Sequence, residues 1–193
     1  MEKTRKKSLS ASDIVLAGAL IAAGAVLRVF SPPVFGITPN FIICMYCVAI
    51  LMIRPTMVQA LGIGVVSAAV SHLTTKSMIP YLNFISEPVG ALVAFLLVAG
   101  LAKLSFGNIS LGKVSFKPLV VTLIGTLASG LTYISVLKFA ILFVNTPKNP
   151  AFLGLLSVVV TTALINSVLA QVIYYPIMAA SGKKIKTVAQ EKI

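Results

Sequence analysis

Residues 71–91, SHLTTKSMIPYLNFISEPVGA, form a polar knot between two greasy runs, and the reading of that knot decides what kind of chain this is. It holds the single histidine, His72, and Glu87, the only acid away from the two ends. Thr75, Lys76, Tyr81, Asn83 and two prolines complete it. Nearly everything on either side is apolar. Ionisable groups are costly in hydrocarbon and concentrate where a membrane protein binds or moves something. An ordinary extramembrane loop also needs water-loving residues. The shortness of this one, and Glu87 at the mouth of the run that follows, favour a site.

Composition says that hydrocarbon is the relevant solvent. Of 193 residues, 58% are hydrophobic and 10% charged, with a mean hydropathy of +1.03. A soluble domain carries about 25% charged residues. The chain therefore reads as a single integral membrane domain over residues 1–193, embedded in lipid. A net charge of +12 would suggest nucleic acid in a soluble protein. Here it fits anchoring at an anionic membrane surface, with no nucleic-acid partner.

Outward from the knot, apolar runs and their breakers predict an all-α bundle of six spans, at about 14–30, 40–53, 57–73, 88–104, 119–144 and 151–178. Asp13 is placed to cap the first, which runs straight into further spans and reads as a retained helix rather than a signal peptide. Pro32, Pro33, Gly36 and Pro39 break the chain before the second. That second run is short: 14 residues rise about 21 Å, less than a ~30 Å hydrocarbon core. Irregular backbone at depth is tolerated where it lines a cavity, so segment 32–40 is expected to cover a pocket. Arg54-Pro55 turns the chain into the third run, and NTPKNP (145–150) turns it into the sixth.

Lysine and arginine placement orients the bundle. Six spans put twelve of these residues on one side, including both termini, and four (Arg28, Lys76, Lys138, Lys148) on the other. The expectation is a cell-membrane protein with N- and C-termini cytoplasmic. The knot, the proline-rich loop and the NTPKNP turn then face outward together.

Candidate site residues follow from polarity within or beside spans. Glu87 precedes Pro88, an early helix position where a carboxylate is favoured by the helix dipole. It is either a cap or the group that binds an ammonium or ring N–H of a ligand. Lys76 or Arg28 would meet a ligand carboxylate from the same side. Thr122, Thr126, Ser129 and Tyr133 share one face of the fifth run, as a dry helix contact or as a wall of a site. Asn166 lies near the middle of the sixth, where an amide needs partners, either in another helix or in a ligand. His72 beside Ser71 brings a hydrolase dyad to mind, but adjacent helical residues point about 100° apart and are poorly placed for proton transfer.

In the first run Gly18xxxAla22 and Ala19xxxAla23 overlap, and small residues four apart admit close approach of another helix, in this bundle or in a partner. Cys44 and Cys47 stand in a CxxC spacing with no second pair or nearby histidine, which points to packing rather than a metal site. Neither a GxxxxGK[ST] phosphate loop nor HExxH occurs, and no cofactor or catalytic group is expected. A pump of this composition would draw its energy from a partner.

GAVLRVFSPP (24–33), TPNF (38–41), LTTKSMIPYLN (73–83) and the EPVGA that follows give the chain a family likeness. It resembles the substrate-binding S components of energy-coupling factor (ECF) transporters, and among them is most similar to the tryptophan transporter group. The resemblance implies high-affinity capture of a small organic nutrient, such as tryptophan, a related aromatic compound or a vitamin, from outside. It implies a pocket near the outer face, for which Glu87, Asn83, Asn40, Thr75, His72, Lys76, Tyr133 and Asn166 are the candidate contacts. It further implies partners: a transmembrane coupling subunit, met through Ala19, Ala23, Gly18 and Ala22, and two cytoplasmic ATPases. A stand-alone secondary transporter of a small amino-acid-like solute is the alternative. An intramembrane enzyme is disfavoured because no nucleophile, base and orienting group come together.

Overall fold

The computed structural model describes residues 8–32, 38–77, 79–103, 110–111, 114–143 and 150–182. Six helices carry the fold: α1 Ala11–Phe30, α2 Phe41–Ile53, α3 Met57–Thr74, α4 Asn83–Lys103, α5 Lys117–Ile141 and α6 Phe152–Ala180. All but α2 are long and apolar enough to cross a membrane. A 3-10 turn, Pro80–Leu82, leads into α4, and a two-residue antiparallel pair, β1 Ser110–Leu111 with β2 Val114–Ser115, precedes α5.

The short helix is the centre. Every residue of α2 from Ile42 to Ile53 is buried, and α2 touches all five other helices. A helix that is apolar all round belongs inside, and this one has no polar face to show. Its 13 residues rise about 20 Å, so it stops short of a ~30 Å core at one end or both. Arg54 in the left-handed region, φ 50°, terminates it, and Pro55 follows. Around it α1, α3, α4, α5 and α6 form the outer ring, with α3 on α4, α4 on α5 and α5 on α6 in extended contact.

Local chemistry sets the helix ends. Ser10 caps α1, its hydroxyl accepting from the Asp13 amide while the Asp13 carboxylate accepts from the Ser10 amide, each at 3.2 Å. Asp13 is thus the third helical residue of a capping box, not the cap itself. Thr56 and Gln59 form the same box on α3. The fourth helix begins five residues earlier than the sequence suggests. Pro80 opens the 3-10 turn, and Pro88 lies inside α4 without an N–H to return to the Phe84 carbonyl. Glu87 is therefore an interior helical residue and does not cap.

Close approach around α4 depends on two glycines. A Cβ at Gly64 of α3 would lie 2.7 Å from Pro88 Cα, and one at Gly90 would run into the Tyr46 hydroxyl and the Ser129 Cβ. On α1 the inward face is Ala17, Leu20, Ile21 and Gly24, whereas Gly18, Ala19, Ala22 and Ala23 are exposed. The overlapping small-residue motifs thus face away from this bundle. Cys44 and Cys47 are buried free thiols in α2, and Cys47 packs beside Gly125. At the other end from the knot, Gln171 of α6 donates to the Ser115 carbonyl (3.0 Å) and accepts from the Leu119 amide (3.3 Å), fixing the start of α5.

Candidate functional site

Where the C-terminal ends of α1, α3 and α5 meet the N-terminal ends of α2, α4 and α6, the bundle encloses a cavity of about 460 Å³. Small-molecule sites run from about 300 to 1,000 Å³. Its lining is chemically mixed. Arg28, Asn40, Thr75 and Glu87 form a polar cluster in it. From α5 and α6 come the apolar Ile134, Leu137, Leu155, Val158 and Val159, together with Thr126, Ser129, Tyr133 and Thr162.

Glu87 is 1% exposed and is held from three helices and the start of a fourth. Asn40 Nδ2 donates to Oε1 at 2.6 Å and Ser71 Oγ to the same oxygen at 3.2 Å. Ser129 Oγ donates to Oε2 at 3.2 Å. The carboxyl oxygens accept these bonds through their lone pairs. Arg28 adds an electrostatic interaction with it. A buried charge without such partners would cost several kcal/mol, so the hydroxyls and the amide are what make Glu87 tolerable here.

The cation is tied to the knot. Arg28 Nη2 donates to Thr75 Oγ1 at 3.0 Å, while its Nη1 is buried with no hydrogen-bond partner. Asn40 is held twice: its amide nitrogen by Glu87, its backbone carbonyl by Asn166 Nδ2 at 3.0 Å. Its side-chain Oδ1, also buried, has no partner. Asn40 ends the loop before α2 without capping that helix through its side chain. The start of the central helix is thus aimed at the polar cluster of the cavity.

Tyr133 closes the wall from α5, its hydroxyl hydrogen-bonded to the Ser77 hydroxyl and donating to the Ile79 carbonyl at 3.3 Å. Those bonds tie Ser77 and Ile79, after α3, to α5. Asn83 lines it too, with Nδ2 donating to the Pro80 carbonyl at 2.7 Å, and Lys76 lines it from an exposed position.

Of the eight residues singled out in the sequence as contacts, Glu87, Asn83, Asn40, Thr75, Lys76 and Tyr133 line the cavity. Asn166 does not. It stands behind Asn40, with Nδ2 also 3.4 Å from Thr126 Oγ1. His72 does not either, and packs its ring 4.6 Å from that of Tyr81 and 5.8 Å from that of Phe84. Arg28, named from the sequence as a partner for a ligand carboxylate, and Ser129, named as part of a possible wall, both line the cavity, and Ser71 bonds to Glu87. On the fifth helix Thr126, Ser129 and Tyr133 line the cavity, and Thr122 is buried away from it. Thr38 and Asn40 of the proline-rich segment line the cavity, whereas residues 33–37 lie outside the described residues. Among the described residues, no group of three His, Cys, Asp or Glu is placed to hold a metal ion.

Comparison with known proteins bears on this geometry. The family model described as "Tryptophan transporter TrpP" matches residues 10–181. A Bacillus subtilis (strain 168) protein described as "Probable tryptophan transport protein" is 30% identical over 174 residues, covering 88% of this chain and 92% of the relative. No solved structure matches the chain.

Proposed function

This chain belongs to the tryptophan transporter TrpP family, and from that premise we propose that its cavity binds tryptophan or a close aromatic relative for ECF-type uptake. It is a multi-pass membrane transport protein. The observation that carries the substrate reading is a single cavity lined both by a charged, hydrogen-bonded cluster and by aliphatic side chains of α5 and α6. Arg28 and the Glu87 cluster suit a charged head group, and the α5–α6 wall suits an apolar ring system. Pockets of this kind bind through apolar area and orient through a few placed polar groups.

In this reading the protein is the high-affinity substrate-binding subunit, and energy comes from a transmembrane coupling subunit with two cytoplasmic ATPases. The outward-facing Gly18, Ala19, Ala22 and Ala23 surface of α1 supports the reading, because methyl-sized residues spaced four apart allow another helix to approach closely. The excess of lysine and arginine at the termini supports cytoplasmic ends and a cavity open to the outside. Uptake of labelled tryptophan should require co-expression of the coupling subunit and its ATPases. Equal uptake in cells lacking them would replace this reading with that of a stand-alone carrier.

A further inference from the structure

The polar cluster of the cavity has two buried hydrogen-bonding atoms without partners, and they are of opposite kinds. Arg28 Nη1 is a donor and Asn40 Oδ1 an acceptor. Buried polar atoms in native proteins are nearly always paired, so each exception asks for a partner. Among the described residues seven side-chain atoms are buried without a partner, and of the residues that carry them only Arg28 and Asn40 line the cavity. Glu87, the obvious partner for a ligand cation, is already taken by Asn40, Ser71 and Ser129 and is 1% exposed.

We propose that Arg28 and Asn40 are the residues that discriminate the ligand's head group, Arg28 taking its carboxylate and the Asn40 carbonyl its ammonium, while Glu87 is a positioning residue that fixes the Asn40 amide. The proposal rests on the aromatic amino-acid reading above and adds which atoms read the two charges. Its chemistry is direct. A guanidinium held through one nitrogen by Thr75 presents the other to an anion, in the planar geometry that suits a carboxylate. An amide has one donor end and one acceptor end. With Nδ2 committed to the Glu87 carboxylate at 2.6 Å, Oδ1 is the end left to accept. The Asn40 backbone is held by Asn166, so the amide does not swing away as a unit. Glu87 acts through that orientation: an acceptor at Oε1 is required, and direct contact with the ligand is not.

The test is the ratio of affinities of one purified protein for three ligands, so a general loss of binding cancels. L-Tryptophan carries both charges, tryptamine lacks the carboxylate and indole-3-propionate lacks the ammonium. The chain contains no tryptophan of its own, so indole fluorescence reports the ligand alone. Wild type should prefer tryptophan to each analogue by at least about tenfold, as expected for charge-assisted hydrogen bonds. Arg28→Gln should erase the preference over tryptamine and keep that over indole-3-propionate. Asn40→Ala should do the reverse. Glu87→Gln retains an acceptor for Asn40 Nδ2 and should keep the preference over indole-3-propionate within about threefold of wild type, whereas Glu87→Ala should lose it. If the Asn40→Ala protein is not monodisperse, the two Glu87 variants decide alone. Collapse of that preference in Glu87→Gln, or its survival in Asn40→Ala, would place the ammonium on Glu87 and overturn the proposal. Tight tryptophan binding by wild type with no preference over either analogue would overturn the head-group assignment while leaving the substrate intact. Failure of all three to bind would overturn the substrate reading itself.

Discussion

Asn40 and Glu87 lie 47 residues apart in the chain and meet through a 2.6 Å hydrogen bond between the residue before the central helix and the interior of α4. The bond joins two of the elements that supply the polar lining of the cavity. Around it Ser71, Ser129 and Asn166 connect α3, α5 and α6 to the same pair. The site is therefore built into the packing of the bundle rather than added to a loop, and changes behind the wall should be felt in front of it.

Asn166 offers the cleanest instance. It does not line the cavity, yet it donates to the Asn40 carbonyl at 3.0 Å. Asn166→Ala removes the bond and adds no bulk at a position that is 0% exposed. Interhelical hydrogen bonds in membrane proteins contribute about 0.6 kcal/mol on average and up to about 1.7. The unfolding midpoint in detergent should drop by a few degrees, and tryptophan affinity should weaken several-fold as Asn40 loosens. Unchanged affinity would make Asn166 a packing residue only.

Gly64 and Gly62 share α3 and should respond in opposite ways to the same change. A Cβ at Gly64 would press on Pro88 Cα and on the Glu87 carbonyl, whereas one at Gly62 meets nothing within 4 Å. Gly64→Ala should destabilise by about 1–3 kcal/mol through overpacking and displace Glu87, weakening binding. Gly62→Ala should be neutral or stabilising by up to about 1 kcal/mol, since glycine is the poorer helix former. Thermal unfolding of the two variants side by side checks both. Equal midpoints would mean that α3 and α4 are less closely packed than described.

Much of the fold was legible in the sequence, and the reasons for the rest are particular. Long apolar runs gave away α1, α3, α5 and α6, because hydrocarbon imposes length and composition together. The central place of α2 did not stand out, because in a membrane protein a helix apolar on every side is equally what a lipid-facing span looks like. The start of α4 lies before the expected Pro88 because Pro80, not Pro88, is the proline that opens a helical turn there. Glu87 was conspicuous as a lone acid. Its donors were not, because Ser71, Asn40 and Ser129 reach it across 16, 47 and 42 residues of chain. His72 drew attention by rarity and packs against Tyr81 and Phe84 instead.

The docking role proposed for the exposed face of α1 can be tested apart from binding. Ala19 and Ala23 point out of the bundle, and neither lines the cavity. Ala19→Trp or Ala23→Leu should leave tryptophan affinity of the purified protein within about twofold, since distant sites act independently. The same variants should abolish uptake and copurification with the coupling subunit. Normal uptake would remove α1 from the docking surface.

Orientation can be read with cysteine labelling because the native thiols, Cys44 and Cys47, are both 0% exposed and should stay silent. Tyr81→Cys lies on the cavity side of the bundle and Ser12→Cys at the start of α1, both at exposed positions. An impermeant maleimide added to intact cells should modify the first and spare the second. The opposite pattern would turn the cavity toward the cytoplasm and contradict uptake.

The most direct measurement is native mass spectrometry of the wild-type protein after equilibration with an equimolar mixture of the standard amino acids and removal of the excess. One added mass per chain is expected, that of tryptophan, and it should be lost in Arg28→Gln. Retention of a different amino acid, or bare protein from a sample shown to be folded and monodisperse, would contradict that expectation.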